Sequence, residues 1–248
     1  MIENLLQVEK LCKAFGAVRA NHNLDINVRN GSVHALIGPN GAGKTTALNQ
    51  LSGEFLPDSG SIIFKGRDIT QMKSHKRSAL GIARSFQITS IFDNMSVEEN
   101  MALSIISNSG HNFRFWRNSL SSPVVTDALG GSLERIGLFE RRKVKARYLS
   151  HGEKKQLEVG MALSGKPKLL MLDEPMAGMG PGGTVEMSKL ILRLRESMTI
   201  LLVEHDMEVV FALADTITVL VSGETIASGT PQEIRSNELV RSAYLGED

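Results

Sequence analysis

VHALIGPNGAGKTTALNQL, residues 33–51, decides how the chain is read. A short apolar run (33–37) leads into GPNGAGKTT (38–46), and a helix-like stretch (47–51) follows. The spacing G-x-x-x-x-G-K-[ST] is met at Gly38, Gly43, Lys44 and Thr45. Glycines let the backbone turn tightly, so successive N–H groups converge on one concave spot. The positive end of the following helix adds to the same place. Gly38, Pro39, Asn40, Gly41, Ala42, Gly43, Lys44, Thr45 and Thr46 are therefore assigned to phosphate binding. Lys44 brings a point charge to the β- and γ-phosphates, and the Thr45 hydroxyl is placed to ligate Mg²⁺.

The chain has 248 residues, enough for one large or two modest domains. With 42% apolar and 22% charged residues it has the balance of a soluble globular protein and not of a disordered one. Its net charge of +1 offers no strong field for nucleic acid or an anionic membrane. The one cysteine, Cys12, excludes an internal disulfide and is expected to be a small buried apolar residue. No apolar stretch reaches the roughly 18–20 residues of a membrane span. The opening MIENLLQVEK carries early acids and no long apolar region, so a signal peptide is not expected.

Short strand-like runs at 5–8, 24–28, 33–37 and 61–64 are separated by turn signals at 30–31 and 57–60. Helical spacing at 97–106 and 132–138 flanks a polar stretch, 108–123, that reads as an exposed loop holding Phe113, Phe115 and Trp116. Arg141, Arg142, Lys143, Lys145 and Arg147 form a basic run, read as a solvated helix end. Strand–helix alternation then returns: helix 150–163, buried strand 169–172, amphipathic helix 185–195, strand 199–203, helix 207–214 and strand 217–221. The α/β rhythm at both ends predicts a mainly parallel, buried sheet. The expected organisation is a single domain, 1–248. A catalytic core with its β subdomain takes 1–86 and 164–248, a helical part takes 87–163, and 225–248 is a mostly helical tail.

Two further stations carry chemistry. LLMLDE (169–174) is a buried strand ending in two acids, which delivers Asp173 and Glu174 to the sheet edge where ligands gather in open α/β folds. Asp173 is placed to hold Mg²⁺ through water and Glu174 to polarise an attacking water. LSHGEKKQ (149–156) offers a serine hydroxyl, free helix N–H groups and a small residue for close approach, features that bind phosphate. Ser150 and Glu153 also have the spacing of a capping box, and the two roles are compatible.

With these stations in order, the chain resembles the nucleotide-binding subunit of ABC transporters along essentially its whole length. The resemblance implies a P-loop NTPase of the ABC type, with a mainly parallel RecA-like core, an antiparallel β subdomain and a helical subdomain. It implies that Phe15 stacks on adenine, and that Gln87 lies in the loop joining the two parts and shares Mg²⁺ with Thr45 and Asp173. Ser150, His151, Gly152 and Glu153 match the signature motif, and His205 in VEHD matches the switch histidine that reaches the γ-phosphate. Three residues depart from the commonest pattern: His151 replaces a glycine, Glu153 a glutamine, and Gly180 stands where many relatives, though often not the subfamily named below, carry aspartate.

ARSFQ (83–87), EPMAGMGP (174–181), LLVEHDMEVVFALAD (201–215), the ending AYLGED (243–248) and the aromatic insertion are similar to the larger ATPase of branched-chain (hydrophobic) amino acid importers. The urea-importer and lipopolysaccharide-export ATPases share some of these pieces. The resemblance implies ATP and Mg²⁺ as ligands. It also implies a head-to-tail pair with a second ATPase subunit, identical or paralogous, in which the serine end of one subunit caps the nucleotide of the other. Transmembrane permease subunits would dock on the surface following Gln87, with Ile91, Phe92 and Met95 as lining, and a periplasmic solute-binding protein would take part indirectly. Such a protein sits peripherally on the cytoplasmic face of the inner membrane. A soluble ABC ATPase acting on nucleic acid is the competing class. Such proteins usually carry two cassettes, a long coiled coil or a basic surface, and this sequence has none of them. Glu174 and His205 together argue against a mere regulatory binder of ATP.

Overall fold

The computed structural model describes residues 4–85, 91–108 and 123–245, with the side chains of 123–127 and 244–245 excepted. In chain order the first elements are β1 (Asn4–Phe15), β2 (Val18–Arg29), β3 (Val33–Ile37), α1 (Lys44–Ser52), β4 (Ser59–Phe64), β5 (Arg67–Asp68), α2 (Ser74–Ala79) and β6 (Ile82–Arg84). Then come α3 (Val97–Asn108), α4 (Pro123–Arg135), α5 (His151–Leu163), β7 (Leu169–Asp173), α6 (Pro181–Arg195) and β8 (Thr199–Val203). The chain ends with α7 (Met207–Leu213), β9 (Thr216–Val221), β10 (Glu224–Gly229), α8 (Pro231–Ser236) and α9 (Glu238–Leu245).

Two compact units result. The first comprises Met1–Arg84, Lys168–Glu174 and Leu192–Asp248; the second comprises Ser85–Pro167 and Pro175–Ile191. The second thus takes in 175–191 besides the helix-rich stretch 87–163.

The first unit holds two sheets. One has six strands in the order β10-β9-β3-β8-β7-β6, and all neighbours are parallel except β10 and β9. Every residue of β3, β7 and β8 is buried. This explains why their sequences are apolar throughout instead of alternating. Each fully buried Leu, Ile or Val contributes about 1.5–3 kcal/mol, so the positions of these strand ends are set by the core and not by the site. The other sheet is antiparallel, in the order β2-β1-β4-β5. The mainly parallel core and the separate antiparallel sheet are those expected.

Several local expectations are corrected. The runs 5–8 and 24–28 are fragments of two 12-residue strands, β1 and β2. A register shift between Val8 and Leu11, with Lys10 at φ +48°, breaks the alternation that would have shown the length. Residues 59–60, expected in a turn, begin β4; Gly60 (φ +91°) lies so close to the Lys10 carbonyl that a Cβ would sit 2.4 Å from its oxygen. Strand β6 has three residues, too few to show a period. The bound drawn at 225 for the tail falls inside β10, which pairs with β9; the helices themselves run from Pro231 to Leu245, as their sequence suggests. Helix α4 begins before 132 and stops at Arg135, where Gly137 (φ +75°) turns the chain. The basic run 141–147 is no helix end: short 3₁₀ turns hold it, with Arg142 over the Phe139 ring and Arg147 over Tyr148. Cys12 is half-buried, and its Sγ accepts from the Asn23 N–H.

Inside the parallel sheet, β3 carries a fully buried histidine. His34 Nε2 lies 2.9 Å from Thr218 Oγ1 on β9. Burial first, and the charge of Arg29 second, lower its pKa from 6.5 to about 4. The folded protein therefore disfavours the charged ring. The stabilisation is complete above pH 6.5 and is lost as pH falls from 6.5 toward 4, at a total of roughly 3 kcal/mol. Denaturant melts across pH 4–7 should show His34→Gln flattening this acid-side slope relative to wild type; an unchanged slope would remove His34 as its source.

Candidate active site

Strand β3 ends at Ile37 and the phosphate loop follows without an intervening residue. Two glycines are fixed by space. A Cβ at Gly38 would sit 2.2 Å from the Leu220 carbonyl oxygen, and one at Gly43 (φ +100°) would sit 2.1 Å from that of Ala20. Gly43 is the N-cap of α1 and makes no side-chain cap, so the first N–H groups of the helix face the loop's hollow. Lys44 is buried, and its Nζ donates to the carbonyls of Gly38 (2.6 Å) and Pro39 (3.1 Å). Among the described residues it has no carboxylate within 4.0 Å. Burial lowers its pKa most, while Glu174 and then Asp173 act to raise it. A glycine-hinged loop that holds a buried ammonium at a helix N-terminus fits phosphate oxygens.

The acids arrive on neighbouring strands. β8 lies between β3 and β7, so the ends of all three parallel strands share one sheet edge. Asp173 closes β7, is buried, and accepts from Arg84 Nη2 at 2.8 Å. Glu174 follows in a left-handed conformation (φ +47°), its N–H held by the Val203 carbonyl at the end of β8. For a non-glycine residue this costs on the order of 1 kcal/mol, and it redirects the side chain as the strand ends. After β8 come buried Glu204 and exposed His205, whose Nδ1 lies 3.9 Å from Glu174 Oε1. Asp206 caps α7, accepting from the Glu208 and Val209 N–H groups, and so fixes the turn that carries His205.

Phe15 stands at the tip of the β1–β2 hairpin, 46% exposed. Its ring meets the edge of Phe55 at 5.6 Å, and Lys13 Nζ lies 5.7 Å from its centroid. Asp58 fastens this tip, taking Lys13 Nζ at 2.7 Å and the Ala14 N–H at 2.8 Å. Phe55 went unnoticed in the sequence because a single aromatic in a turn carries no period.

In the second unit, Ser150 caps α5 with a complete capping box: Glu153 N–H donates to Ser150 Oγ, and Ser150 N–H to Glu153 Oε2. His151, the unusual signature residue, hydrogen-bonds through Nε2 to the Ala177 carbonyl at 3.0 Å. The signature end of α5 is thereby tied to the loop 175–180. A Cβ at Gly152 would meet Gly183 Cα and Met179 Sδ, each at 3.7 Å, in ordinary van der Waals contact. A Cβ at Gly180 would meet nothing within 4 Å, so steric room does not explain the missing aspartate.

Residues 21–177 match the family model for ABC transporters. The chain belongs to the ABC transporter ATP-binding family. Residues 224–248 also match a model described as a branched-chain amino acid ATP-binding cassette transporter. The chain is 38% identical to the high-affinity branched-chain amino acid transport ATP-binding protein LivG of Salmonella typhimurium, with 100% of each chain covered. It is 34% identical to the lipopolysaccharide export system ATP-binding protein LptB of Escherichia coli over 98% of each. Among solved structures it is similar to the ADP conformation of an ATP-binding cassette of an ABC transporter, with TM-score 0.86 and 31% identity over 99% of this chain and 100% of that one.

As a member of this family the chain binds nucleotide and is an ATPase. Within its first unit the phosphate loop, Asp173, Glu174, His205 and Phe15 are all described; in its second unit so are Ser150, His151, Gly152 and Glu153. Gln87, Phe113, Phe115 and Trp116 lie outside the described residues. Among those described, no three His, Cys, Asp or Glu side chains form a cation cage, and no helix is long and apolar enough to cross a membrane. Arg84, given no role in the sequence reading, is a neighbour that Asp173 meets.

The two loop glycines with positive φ should respond differently to a methyl group. Gly43→Ala forces Cβ onto a backbone carbonyl and should cost on the order of 2–4 kcal/mol. At Gly41 (φ +79°) nothing lies within 4 Å, so Gly41→Ala should cost only about 1 kcal/mol of backbone strain. Thermal melting with and without ATP checks this; equal losses would contradict the packing described.

Proposed function

We propose that this chain is the ATP-hydrolysing subunit of an importer for branched-chain or other hydrophobic amino acids. The observation that carries the substrate class is full-length similarity to LivG, joined to the match of 224–248 with the branched-chain transporter model. The second match favours amino-acid import over the export role named for LptB.

In this reading the loop amides and Lys44 bind and orient the ATP phosphates, and Phe15 stacks on adenine. Thr45, Gln87 and Asp173 would hold Mg²⁺. A hydroxyl, an amide and one carboxylate suit a magnesium ion that keeps waters and shares phosphate oxygens. When bound, the ion supplies charge neutralisation on those oxygens. Glu174 takes a proton from the attacking water, and His205 donates to the γ-phosphate from beside it. The capped N-terminus of α5, with Ser150 and Gly152, supplies further donors to the γ-phosphate of a second ATPase subunit, identical or paralogous, paired head-to-tail. The chain works peripherally on the cytoplasmic face of the inner membrane. Ile91, Phe92 and Met95 take a permease element, Phe92 being 56% exposed, and the solute-binding protein acts through that permease.

Glu174→Gln keeps the size and loses the base. It should bind ATP with little change in affinity while its turnover falls ~10²–10⁴-fold. In a strain lacking the gene, uptake of labelled leucine should return with the wild-type chain and not with this variant. Wild-type turnover in the variant would remove Glu174 from the chemistry, and leucine uptake indifferent to the gene would remove the substrate assignment.

A further inference from the structure

Arg84 ends β6, the edge strand of the parallel sheet, in register with Met171 of β7. Two residues further along β7, on the same face, stands Asp173. The guanidinium and the carboxylate are both buried, with side-chain exposures of 7% and 2%. Nη2 donates to Asp173 Oδ2 at 2.8 Å. Nη1 donates to Asn49 Oδ1 on α1, the helix that the phosphate loop opens, and reaches Glu54 Oε1 at 3.4 Å. Nε is buried and has no hydrogen-bond partner among the described residues. A buried pair with an orphaned donor is a poor stabiliser, since apolar side chains of the same volume often do as well or better. A functional return is therefore the better explanation of its presence.

The local charges suggest what that return is. Arg84 faces two carboxylates, Asp173 at 2.8 Å and Glu54 at 3.4 Å, while Glu174 and buried Glu204 lie beside His205. Of these acids, Asp173 is the one whose charge a close, buried guanidinium offsets. A divalent cation arriving alone would meet that positive charge beside Asp173. One arriving with phosphates brings its own anions.

We propose that Arg84 is a positioning residue: it locks the Asp173 carboxylate to the phosphate-loop helix and offsets its charge, so that Mg²⁺ enters with nucleotide and not before it. This rests on the reading of Asp173 as the metal-side carboxylate.

Manganese is the probe, titrated by electron paramagnetic resonance into the purified full-length chain without nucleotide. Arg84→Gln removes the charge and should tighten Mn²⁺ binding by about tenfold or more. Arg84→Lys keeps the charge and should leave Mn²⁺ affinity within about threefold of wild type. The ammonium lacks the planar fork that spans Asp173 and Asn49 from the end of β6, so the lysine variant should lose about tenfold or more in kcat with KM for ATP little changed. Unchanged Mn²⁺ affinity in Arg84→Gln, or wild-type kcat in Arg84→Lys, overturns the proposal. The lysine arm still decides if the glutamine variant fails to fold. Asp173→Asn tests the underlying reading separately: Mn²⁺ affinity in the presence of ATP should fall about tenfold or more. If it is unchanged, Asp173 is not the metal-side group, whatever Arg84 does.

Discussion

A buried ammonium held by the carbonyls of its own loop is the constraint on which the rest of this structure depends. Lys44 Nζ is fixed on Gly38 and Pro39, which requires the chain to fold back at once after β3. Only glycine fits at 38 and 43, where the Leu220 and Ala20 carbonyls press in. That return turn brings the start of α1 against the loop, and among the described residues the ammonium has no carboxylate within 4.0 Å. Burying such a charge is costly unless it is paired, which supports the proposal that the loop takes phosphate.

The parallel sheet supplies the remaining groups by order alone. Because β8 lies between β3 and β7, the Asp173–Glu174 end and the His205 turn fall beside the phosphate loop. Each is anchored by something outside the chemistry: Asp173 by Arg84, Glu174 by the Val203 carbonyl, His205 by the Asp206 cap. The second unit follows the same logic. The capping box at Ser150 and the hydrogen bond from His151 to Ala177 fix the signature turn through contacts on either side of Gly152. His151 thus takes a defined structural place where the family's commonest pattern has no side chain.

Much of this was legible in the residues. The strand 33–37 was read with its bounds intact, because a buried parallel strand is short and wholly apolar, while α1 starts at Lys44, three residues before the helix that was read from 47. The acid pair, the Ser150 cap and the strand 199–203 were legible for the same reason. What escaped lacked a period: β6 with three residues, β10 hidden in a tail of mixed polarity, and the part of β1 beyond 5–8, where the bulge at Lys10 breaks the alternation. The partners Arg84 and Phe55 escaped too, since a contact across strands or turns leaves no trace in spacing. Side-chain environment, as at His34, follows only from the sheet order.

Amide hydrogen exchange on the full-length chain, with and without ATP and Mg²⁺, tests the central claim most directly. The account predicts new protection at the amides of 41–46, where the loop's N–H groups meet phosphate. It predicts protection at 150–153 only at concentrations where two ATPase subunits pair. Protection absent from 41–46, or confined to another part of the chain, would contradict it.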